Sequence, residues 1–263
     1  MKSNGNAQEL LSLVMQQSPA GVLTDIDGTI SRIAGHPDEA IVEDKARNAL
    51  ARVTRQFALV GAVSGRSAEE AHALVGLDEL VYSGNHGMEI WRDGNLEQSP
   101  LALEYAPKIT ALLDALQLPA EDDRLYVENK VLTASIHYRA LEGDEQTERL
   151  LLEEVTRHAE ASGLCVTHGQ KVVEIRPPVE LTKGTAVVDL IRKYRLAALL
   201  YLGDDVTDVD AFKSLRDLRT RSGGHFYAIG VSGEATPESV RQNADAMVDG
   251  VDGVIELLES GRD

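Results

Sequence analysis

One cysteine, one tryptophan and three phenylalanines are all that the 263 residues hold of those types, and aromatics make up only 4% of the chain. A lone thiol, Cys165, closes no internal disulfide and builds no zinc cluster, so a disulfide scaffold and a zinc module are both excluded. A reducing, cytoplasmic setting is the expectation, with Cys165 a small buried apolar residue. With so few rings, the core must be mostly Ala, Leu, Val and Ile, and a hydrophobic content of 43% supplies enough of them. No run approaches the ~18 consecutive apolar residues of a membrane span. The polar start Met1-Lys2-Ser3-Asn4-Gly5-Asn6-Ala7-Gln8-Glu9 lacks the apolar stretch of a secretory signal. Basic residues are scarce: Lys+Arg 26 stand against Asp+Glu 43, a net charge of −17. Such a chain repels phosphate backbones and anionic lipid, which argues against nucleic acid and membrane surfaces as partners and leaves a small molecule. Oligomeric state is not set by the sequence; a monomer is the expectation. If the substrate is itself an anion, something local must overcome the global field.

No fixed-period repeat or low-complexity tract breaks the chain. Val22-Leu23-Thr24 is a short β-favouring run, and 40–57 carries Ala46, Leu50 and Val53 at helical spacing. Phe57-Ala58-Leu59-Val60-Gly61-Ala62-Val63 is nearly all apolar, as suits a strand buried on both faces of a parallel sheet. A helix over 67–75, with Ser67 as its N-cap, and a strand at Leu80-Val81-Tyr82 follow. The last third repeats the style with a strand over 196–202, a helix through Phe212 and Leu215, strands over 226–231 and 246–248, and a helix over 251–258. Strands alternating with helices predict an α/β fold, a doubly wound parallel sheet of Rossmann type. The middle reads differently. After a hairpin over 88–96 turning at Asp93-Gly94, in which Trp91 is packing, come a helix over 101–116 and strands over 125–128 and 131–138 turning at Asn129-Lys130. A polar helix over 143–162 and strands over 165–168 and 172–175, turning at Gly169-Gln170, complete it. This order predicts an α+β unit inserted into the α/β domain: core 1–100, cap 101–177, core 178–263, with the insert placed to act as a lid.

Sites in open α/β sheets form beyond the carboxyl ends of strands. Three apolar runs end in polar clusters: Asp25-Ile26-Asp27-Gly28-Thr29, Ser64-Gly65-Arg66 and Gly203-Asp204-Asp205-Val206-Thr207-Asp208. A fourth candidate, Lys183, sits where the chain re-enters the core and a helix begins. Each alone is weak: Asp-x-Asp is common in loops, Ser-Gly-Arg is ordinary turn chemistry, and Asp204, Asp205 and Asp208 could simply cap a helix. As an ordered set they suggest phosphoryl transfer. Asp25 can act as nucleophile and Asp27 as acid and base. Asp25 and Asp204 offer hard oxygens suited to Mg²⁺. Ser64, Lys183 and backbone N–H groups can hold phosphoryl oxygens. Mg²⁺ and Lys183 together would make a local positive site in an acidic chain.

In this order the motifs resemble the haloacid dehalogenase superfamily of phosphohydrolases. Within it the chain is most similar to the trehalose-6-phosphate phosphatases, over roughly 21–248. The similarity extends through Gly84-Asn85-His86-Gly87-Met88-Glu89, Val127-Glu128-Asn129-Lys130, His137-Tyr138-Arg139, Val173-Glu174-Ile175-Arg176-Pro177 and Thr182-Lys183-Gly184. Ile26 stands where that family often has an aromatic, and Thr182 where it often has Asn. The resemblance implies an Mg²⁺-dependent phosphatase in which Asp25 becomes phosphorylated and Asp27 shuttles the proton. The metal would be held by Asp25, the Asp27 carbonyl and Asp204, with Asp205 or Asp208 acting through water or hydrogen bonds. Thr29, Ser64 and Lys183 would bind phosphoryl oxygens. Gly65, Arg66, Asn85, His86, Gly87, Glu128, Lys130, Arg139 and Glu174 would line the site for a phosphorylated sugar. Three rivals stay open: another substrate, such as sucrose 6-phosphate or mannosyl-3-phosphoglycerate; a non-catalytic sugar-phosphate-binding relative; and a phosphomutase.

Overall fold

The computed structural model describes residues 4–116, 124–169, 171–233 and 236–261. The elements run α1 (Asn4–Met15), β1 (Ala20–Thr24), α2 (Asp44–Val53), β2 (Leu59–Val63), α3 (Ala68–Val75), β3 (Val81–Gly84), β4 (Glu89–Arg92) and β5 (Asn95–Gln98). Then come α4 (Pro100–Leu103), α5 (Ala106–Leu116), β6 (Tyr126–Asn129), β7 (Ala134–His137), α6 (Glu145–Ala161), β8 (Cys165–His168) and β9 (Val172–Arg176). The chain closes with α7 (Lys183–Tyr194), β10 (Ala198–Gly203), α8 (Asp208–Ser222), β11 (His225–Ser232), α9 (Glu238–Asn243), β12 (Ala246–Asp249) and α10 (Gly250–Ser260). The chain divides into two units, Met1–Glu97 with Leu181–Asp263, and Gln98–Glu180.

In the first unit the described residues form an eight-stranded sheet in the order β12-β11-β10-β1-β2-β3-β4-β5. From β12 to β3 neighbouring strands are parallel, and β4 runs antiparallel to β3. All residues of β1, β2 and β10 are buried. Alternate side chains therefore serve opposite faces. Val22, Leu200 and Leu202 pack in the core that holds Leu11, Leu50 and Val254, whereas Leu23, Leu199 and Tyr201 pack with Val187, Leu190 and Phe212. This is the expected doubly wound α/β sheet. Strand order switches at β1, which has β2 on one side and β10 on the other. Register then sets the chemistry: Thr24 pairs with Leu202 on one side and Ala62 on the other. Asp25, Asp204 and Ser64 consequently leave the sheet side by side.

The second unit is a four-stranded antiparallel sheet ordered β6-β7-β9-β8 among the described residues, with α5 and α6 on one face. Ile109 and Leu112 of α5 and Val155 and Ala159 of α6 pack against Ile136, Val173 and Ile175. On the opposite face the strands carry polar side chains.

Several sequence expectations change in detail. Helix α1 was not expected at all. The single helix predicted over 101–116 is two, broken at Glu104-Tyr105. Pro107 explains the break, since it has no N–H to give to Leu103 four residues back. The predicted 40–57 helix shortens to α2. Cys165 is exposed, not buried: it opens the edge strand β8, and Val166, its neighbour on the alternate face, packs on the helices instead. Trp91 packs as expected, its ring stacked on His72 at 3.7 Å between centroids. The turn predicted at Gly169-Gln170 includes residue 170, which lies outside the described residues, as do Met1, Lys2 and Ser3 of the polar start.

Gly61, in the middle of β2, has no room for a side chain: a Cβ there would overlap the Val81 carbonyl oxygen of β3 and sit 3.1 Å from Leu23 Cδ2. Gly61→Ala is expected to lower stability by about 1–3 kcal/mol, the usual cost of overpacking, read as a lower urea midpoint at unchanged slope. A midpoint equal to that of the parent would contradict this packing.

Candidate active site

Lys183 is the first residue of α7, a helix started by Thr182, whose hydroxyl accepts hydrogen bonds from the Gly184 and Thr185 N–H groups. Threonine caps as asparagine would, so the departure at 182 leaves the helix start intact. An ammonium at a helix N-terminus opposes the helix dipole, and Lys183 is also buried, at 3% exposure. Two carboxylates compensate. Lys183 Nζ lies 2.9 Å from Asp25 Oδ2 and 2.8 Å from Asp208 Oδ1.

Asp25 follows β1 directly, and its N–H donates to the Leu202 carbonyl at 2.8 Å, continuing the ladder onto β10. Asp204 follows β10. One carboxylate oxygen from each of Asp25, Asp204 and Asp208 lies within 4.8 Å of the other two. Thr29 donates its hydroxyl to Asp204 Oδ1 at 2.9 Å, so in this geometry the threonine holds an acid in place. Gly28 allows that approach: its φ is +82°, and a Cβ there would overlap the Asp204 carboxylate.

Asp208 has a different employment from Asp204. Its Oδ1 accepts from Lys183 Nζ and, at 2.6 Å, from the Tyr201 hydroxyl, and its Oδ2 accepts from the N–H groups of Asp204 and Asp205 at 3.0 Å each. Four donors on a fully buried carboxylate match its lone pairs. Asp208 thus fixes the lysine and the 204–205 backbone through hydrogen bonds, and one of its oxygens also belongs to the acidic group that could hold a metal ion. Asp205 stands outside the three-carboxylate group among the described residues and takes part through its backbone N–H.

Three acids against one ammonium would leave two negative charges in a buried site if all were ionised, and the site resists that state. Burial, then Asp208, pushes the Asp25 carboxyl well above the ordinary carboxylate range, with Lys183 opposing. Burial and Asp208 likewise push Asp204 up to about 7, with the Thr29 hydrogen bond opposing. Burial works to lower the Lys183 ammonium, but Asp208 and Asp25 outweigh it and the group is held protonated. A hard divalent cation fits this donor set, with clustered carboxylate oxygens whose ionised form carries a net charge equal and opposite to its own.

Ser64, after β2, is buried, and its Oγ accepts the Arg66 N–H at 3.1 Å. The stretch Asn85-His86-Gly87 sits against this turn. Asn85 N–H donates to the Arg66 carbonyl at 2.7 Å and His86 N–H to the Ser64 carbonyl at 3.0 Å. All three residues have positive φ, 47°, 56° and 100°, which for Asn and His is strained backbone of the kind that clusters at functional sites. Gly65 lies under the His86 ring, where a Cβ would come within 2.9 Å of Cε1 and Nε2. The 85–87 stretch therefore clasps the 64–66 turn. Arg66, expected at the sugar, forms a fork on Asp27, from Nε to Oδ2 at 2.7 Å and from a terminal nitrogen to Oδ1 at 2.8 Å.

In the second unit, Glu128, Ser135, Glu174 and Thr167 are register partners across the sheet. Glu128 receives His137 Nε2 at 2.8 Å and has Lys130 Nζ at 3.5 Å. Burial would raise the Glu128 carboxyl, but His137 and Lys130 prevail and hold it below its ordinary value. Lys130 also donates to Ser135 Oγ at 2.9 Å, and Arg176 lies 3.9 Å from Glu174. Glu128, Lys130 and Glu174 thus share one polar face, whereas Arg139 is exposed in the 3₁₀ turn after β7. Ser135, Thr167 and Arg176 belong to the same face and were not singled out from sequence. Strict alternation from Glu128 and Glu174 was the available signal for Arg176.

The trehalose-phosphatase family model matches residues 23–245. Among curated proteins, the chain is 35% identical over 223 residues to probable trehalose-phosphate phosphatase G of Arabidopsis thaliana, covering 74% of this chain and 58% of that protein. It is 34% identical over 214 residues to trehalose 6-phosphate phosphatase RA3 of Zea mays, covering 74% and 58%. The chain spans little more than half the length of these relatives. Among solved structures, the C-terminal domain of the C. albicans trehalose-6-phosphate phosphatase superposes with a TM-score of 0.77 at 22% identity, covering 96% of this chain and 95% of that one. A haloacid dehalogenase-like hydrolase from Bacteroides thetaiotaomicron superposes at 0.64 and 15% identity, covering 91% and 98%. These structures share the fold.

The raised carboxyls set a sign for stability. A carboxyl whose folded value exceeds its unfolded value costs stability as pH climbs from the unfolded value, 3.8, through the folded one, about 7 for Asp204. In EDTA the thermal midpoint is expected to fall as pH rises across that window. Mg²⁺ at a hundred times its Kd should then raise stability by about 2.7 kcal/mol, and Asp204→Asn should flatten the slope. A flat profile in EDTA with no response to Mg²⁺ would remove the case for a cation site.

Proposed function

The chain belongs to the trehalose-phosphatase family, and from that membership and the buried carboxylate–lysine site we propose that it hydrolyses trehalose 6-phosphate to trehalose and phosphate through a phosphorylated Asp25. The observation that carries this reading is one cluster: one carboxylate oxygen from each of Asp25, Asp204 and Asp208 within 4.8 Å of the other two, with Lys183 on Asp25.

Asp25 Oδ2 is engaged by Lys183, which leaves Oδ1 as the attacking oxygen. In the first step this oxygen bonds to phosphorus as the bond from phosphorus to the sugar oxygen breaks. Asp27 gives its proton to the departing oxygen. In the second step a water attacks the same phosphorus, its proton passes to Asp27, and the bond from phosphorus to Asp25 breaks, restoring the carboxylate. Lys183 and the Ser64 hydroxyl bind phosphoryl oxygens and stabilise the charge that spreads over them in the transition state. Asp25 and Asp204 would hold Mg²⁺, with the Asp27 carbonyl as a third donor. Held there, the ion would supply charge neutralisation for an anionic ester. Thr29, which sits on Asp204, keeps that donor in position.

Sugar recognition is assigned to the polar sheet face of the second unit. Glu128 and Glu174 accept from sugar hydroxyls and Lys130 donates to them. Membership of the family, rather than the cluster of acids, is what selects trehalose 6-phosphate over other sugar esters.

The test is phosphate release from a panel of trehalose, sucrose, mannose and glucose phosphates with Mg²⁺ and with EDTA. Trehalose 6-phosphate is expected to be turned over with the highest kcat/KM, and EDTA to abolish the reaction. Asp25→Asn is expected to remove at least ~10⁴-fold of the activity, the scale on which loss of a nucleophile is felt, in a protein with parent-like circular dichroism. Preference for a different ester would reassign the substrate, and a fully active Asp25→Asn would end the covalent mechanism.

A further inference from the structure

The reaction sketched above leaves Arg66 without a task, although its guanidinium is among the most constrained side chains of the site. Its Nε donates to Asp27 Oδ2 at 2.7 Å, and one terminal nitrogen donates both to Asp27 Oδ1 at 2.8 Å and to the Pro37 carbonyl at 3.1 Å. Both carboxylate oxygens are therefore taken by one planar group. A fork of this kind fixes the rotation of the carboxylate about its side-chain bonds, which a point charge such as a lysine ammonium does not.

Arg66 is itself held by its backbone. Its N–H donates to Ser64 Oγ at 3.1 Å and its carbonyl accepts the Asn85 N–H at 2.7 Å. Asn85 and His86 adopt φ of 47° and 56° to make this clasp, and His86 donates its N–H to the Ser64 carbonyl. A continuous chain of contacts thus runs from the strained 85–87 stretch, through the 64–66 turn and the guanidinium, to the carboxylate of Asp27. The side chain of Asp27 is 39% exposed against 16% for Arg66. Asp27 lies in the turn beyond β1, partly exposed, and the fork removes rotational freedom that its carboxylate would otherwise keep.

We infer that Arg66 is a positioning residue for Asp27: it holds the carboxylate that exchanges the proton with the sugar oxygen, and it does not read the sugar. The inference rests on the proposed role of Asp27 as proton donor and acceptor. It also gives the Asn85-His86-Gly87 stretch a task, to stiffen the turn that carries the guanidinium. Proton balance is unchanged by the fork. The proton moves from Asp27 to the leaving oxygen as the bond from phosphorus breaks, and one returns from water, while Arg66 keeps its own protons throughout.

The experiment compares two leaving groups. A sugar alkoxide needs a proton to depart, whereas p-nitrophenolate departs without one. Steady-state kcat and KM are measured for the parent, Asp27→Asn, Arg66→Ala, Arg66→Lys and the Asp27→Asn/Arg66→Ala double variant, on trehalose 6-phosphate and on p-nitrophenyl phosphate, at saturating Mg²⁺. General acid–base catalysis is worth ~10²–10⁴-fold. Asp27→Asn should therefore lose at least ~10-fold more kcat/KM, the parameter that reports the step in which the leaving group departs, on the sugar ester than on the nitrophenyl ester. Arg66→Ala should show the same bias, with KM for the sugar ester within ~3-fold of the parent. The double variant should be no slower than Asp27→Asn within ~3-fold, because residues acting in one chain are not additive. Guanidinium in the buffer should restore part of the sugar-ester kcat/KM to Arg66→Ala and none to Asp27→Asn, and Arg66→Lys should fall between alanine and the parent.

A rise in KM for the sugar ester at unchanged kcat would make Arg66 a sugar ligand and overturn the inference. So would equal losses on both esters, or losses that multiply in the double variant. If Asp27→Asn itself shows no bias between the leaving groups, the acid–base reading of Asp27 falls and this inference with it. If Asp27→Asn shows the bias and Arg66→Ala does not, the inference alone falls.

Discussion

A buried ammonium between two buried carboxylates is the constraint around which the first unit is arranged. Lys183 bridges Asp25 and Asp208, and breaking such a buried set by removing one member leaves an uncompensated charge, which costs far more than the intact set contributes. Asp208 tolerates complete burial because four donors reach it. One of these, Tyr201, comes from the middle of β10, and two come from the peptide groups of the turn that bears Asp204. The acid at 208 thereby converts a flexible strand-to-helix turn into a rigid one, and rigidity at that turn decides where the Asp204 oxygens lie. Small residues finish the arrangement. Gly28 lets Asp204 approach the first acidic turn, and Gly87 lets α7 approach the 85–87 stretch, since a Cβ there would come within 2.8 Å of Ala186 Cβ.

The site could be foreseen in its parts and not in its wiring. Asp25, Ser64 and Asp204 each mark a local break in an apolar run and Lys183 marks a helix start, and such signals are visible without knowing which strands pair. That Asp25 and Asp204 meet depends on the pairing of Thr24 with Leu202, two residues 178 positions apart by sequence number, and no local pattern encodes it. The hydroxyl of Thr29 could equally bind a phosphoryl oxygen or an acid from residue chemistry alone, and the register that brings Asp204 to 2.9 Å gives it a partner that no local pattern could supply. The fork of Arg66 on Asp27 is of the same kind, a contact between residues on different strand ends.

Where the fold departed from sequence expectation, the reasons are equally concrete. Helix α1 has only a weak apolar stripe of Ala7, Leu11 and Val14, and it owes its place to packing with the core of α2 and α10. The division of the 101–116 helix follows from one missing N–H at Pro107. Cys165 was assigned by residue type, whereas its exposure is decided by strand order: β8 is an edge, and alternation turns its first residue away from the helices. Residue type carries information about burial only when the neighbours are known.

The excess of acids over the whole chain remains to be squared with an anionic ester as substrate. A net charge of −17 spread over a surface is felt through water and salt, and at physiological ionic strength the interaction decays over ~8 Å. Distant surface carboxylates therefore repel a phosphate weakly. The acids that matter are the three that each bring one oxygen within 4.8 Å of the other two, and they act through a medium that screens far less. Lys183 cancels one of them and leaves two. An ester carrying its own negative charge would be repelled by such a site when its acids are ionised, so under the proposed function a cation would serve binding as much as the chemical step. Burial first, and Asp208 second, raise the carboxyls of Asp25 and Asp204, and a doubly charged partner among them would relieve both effects.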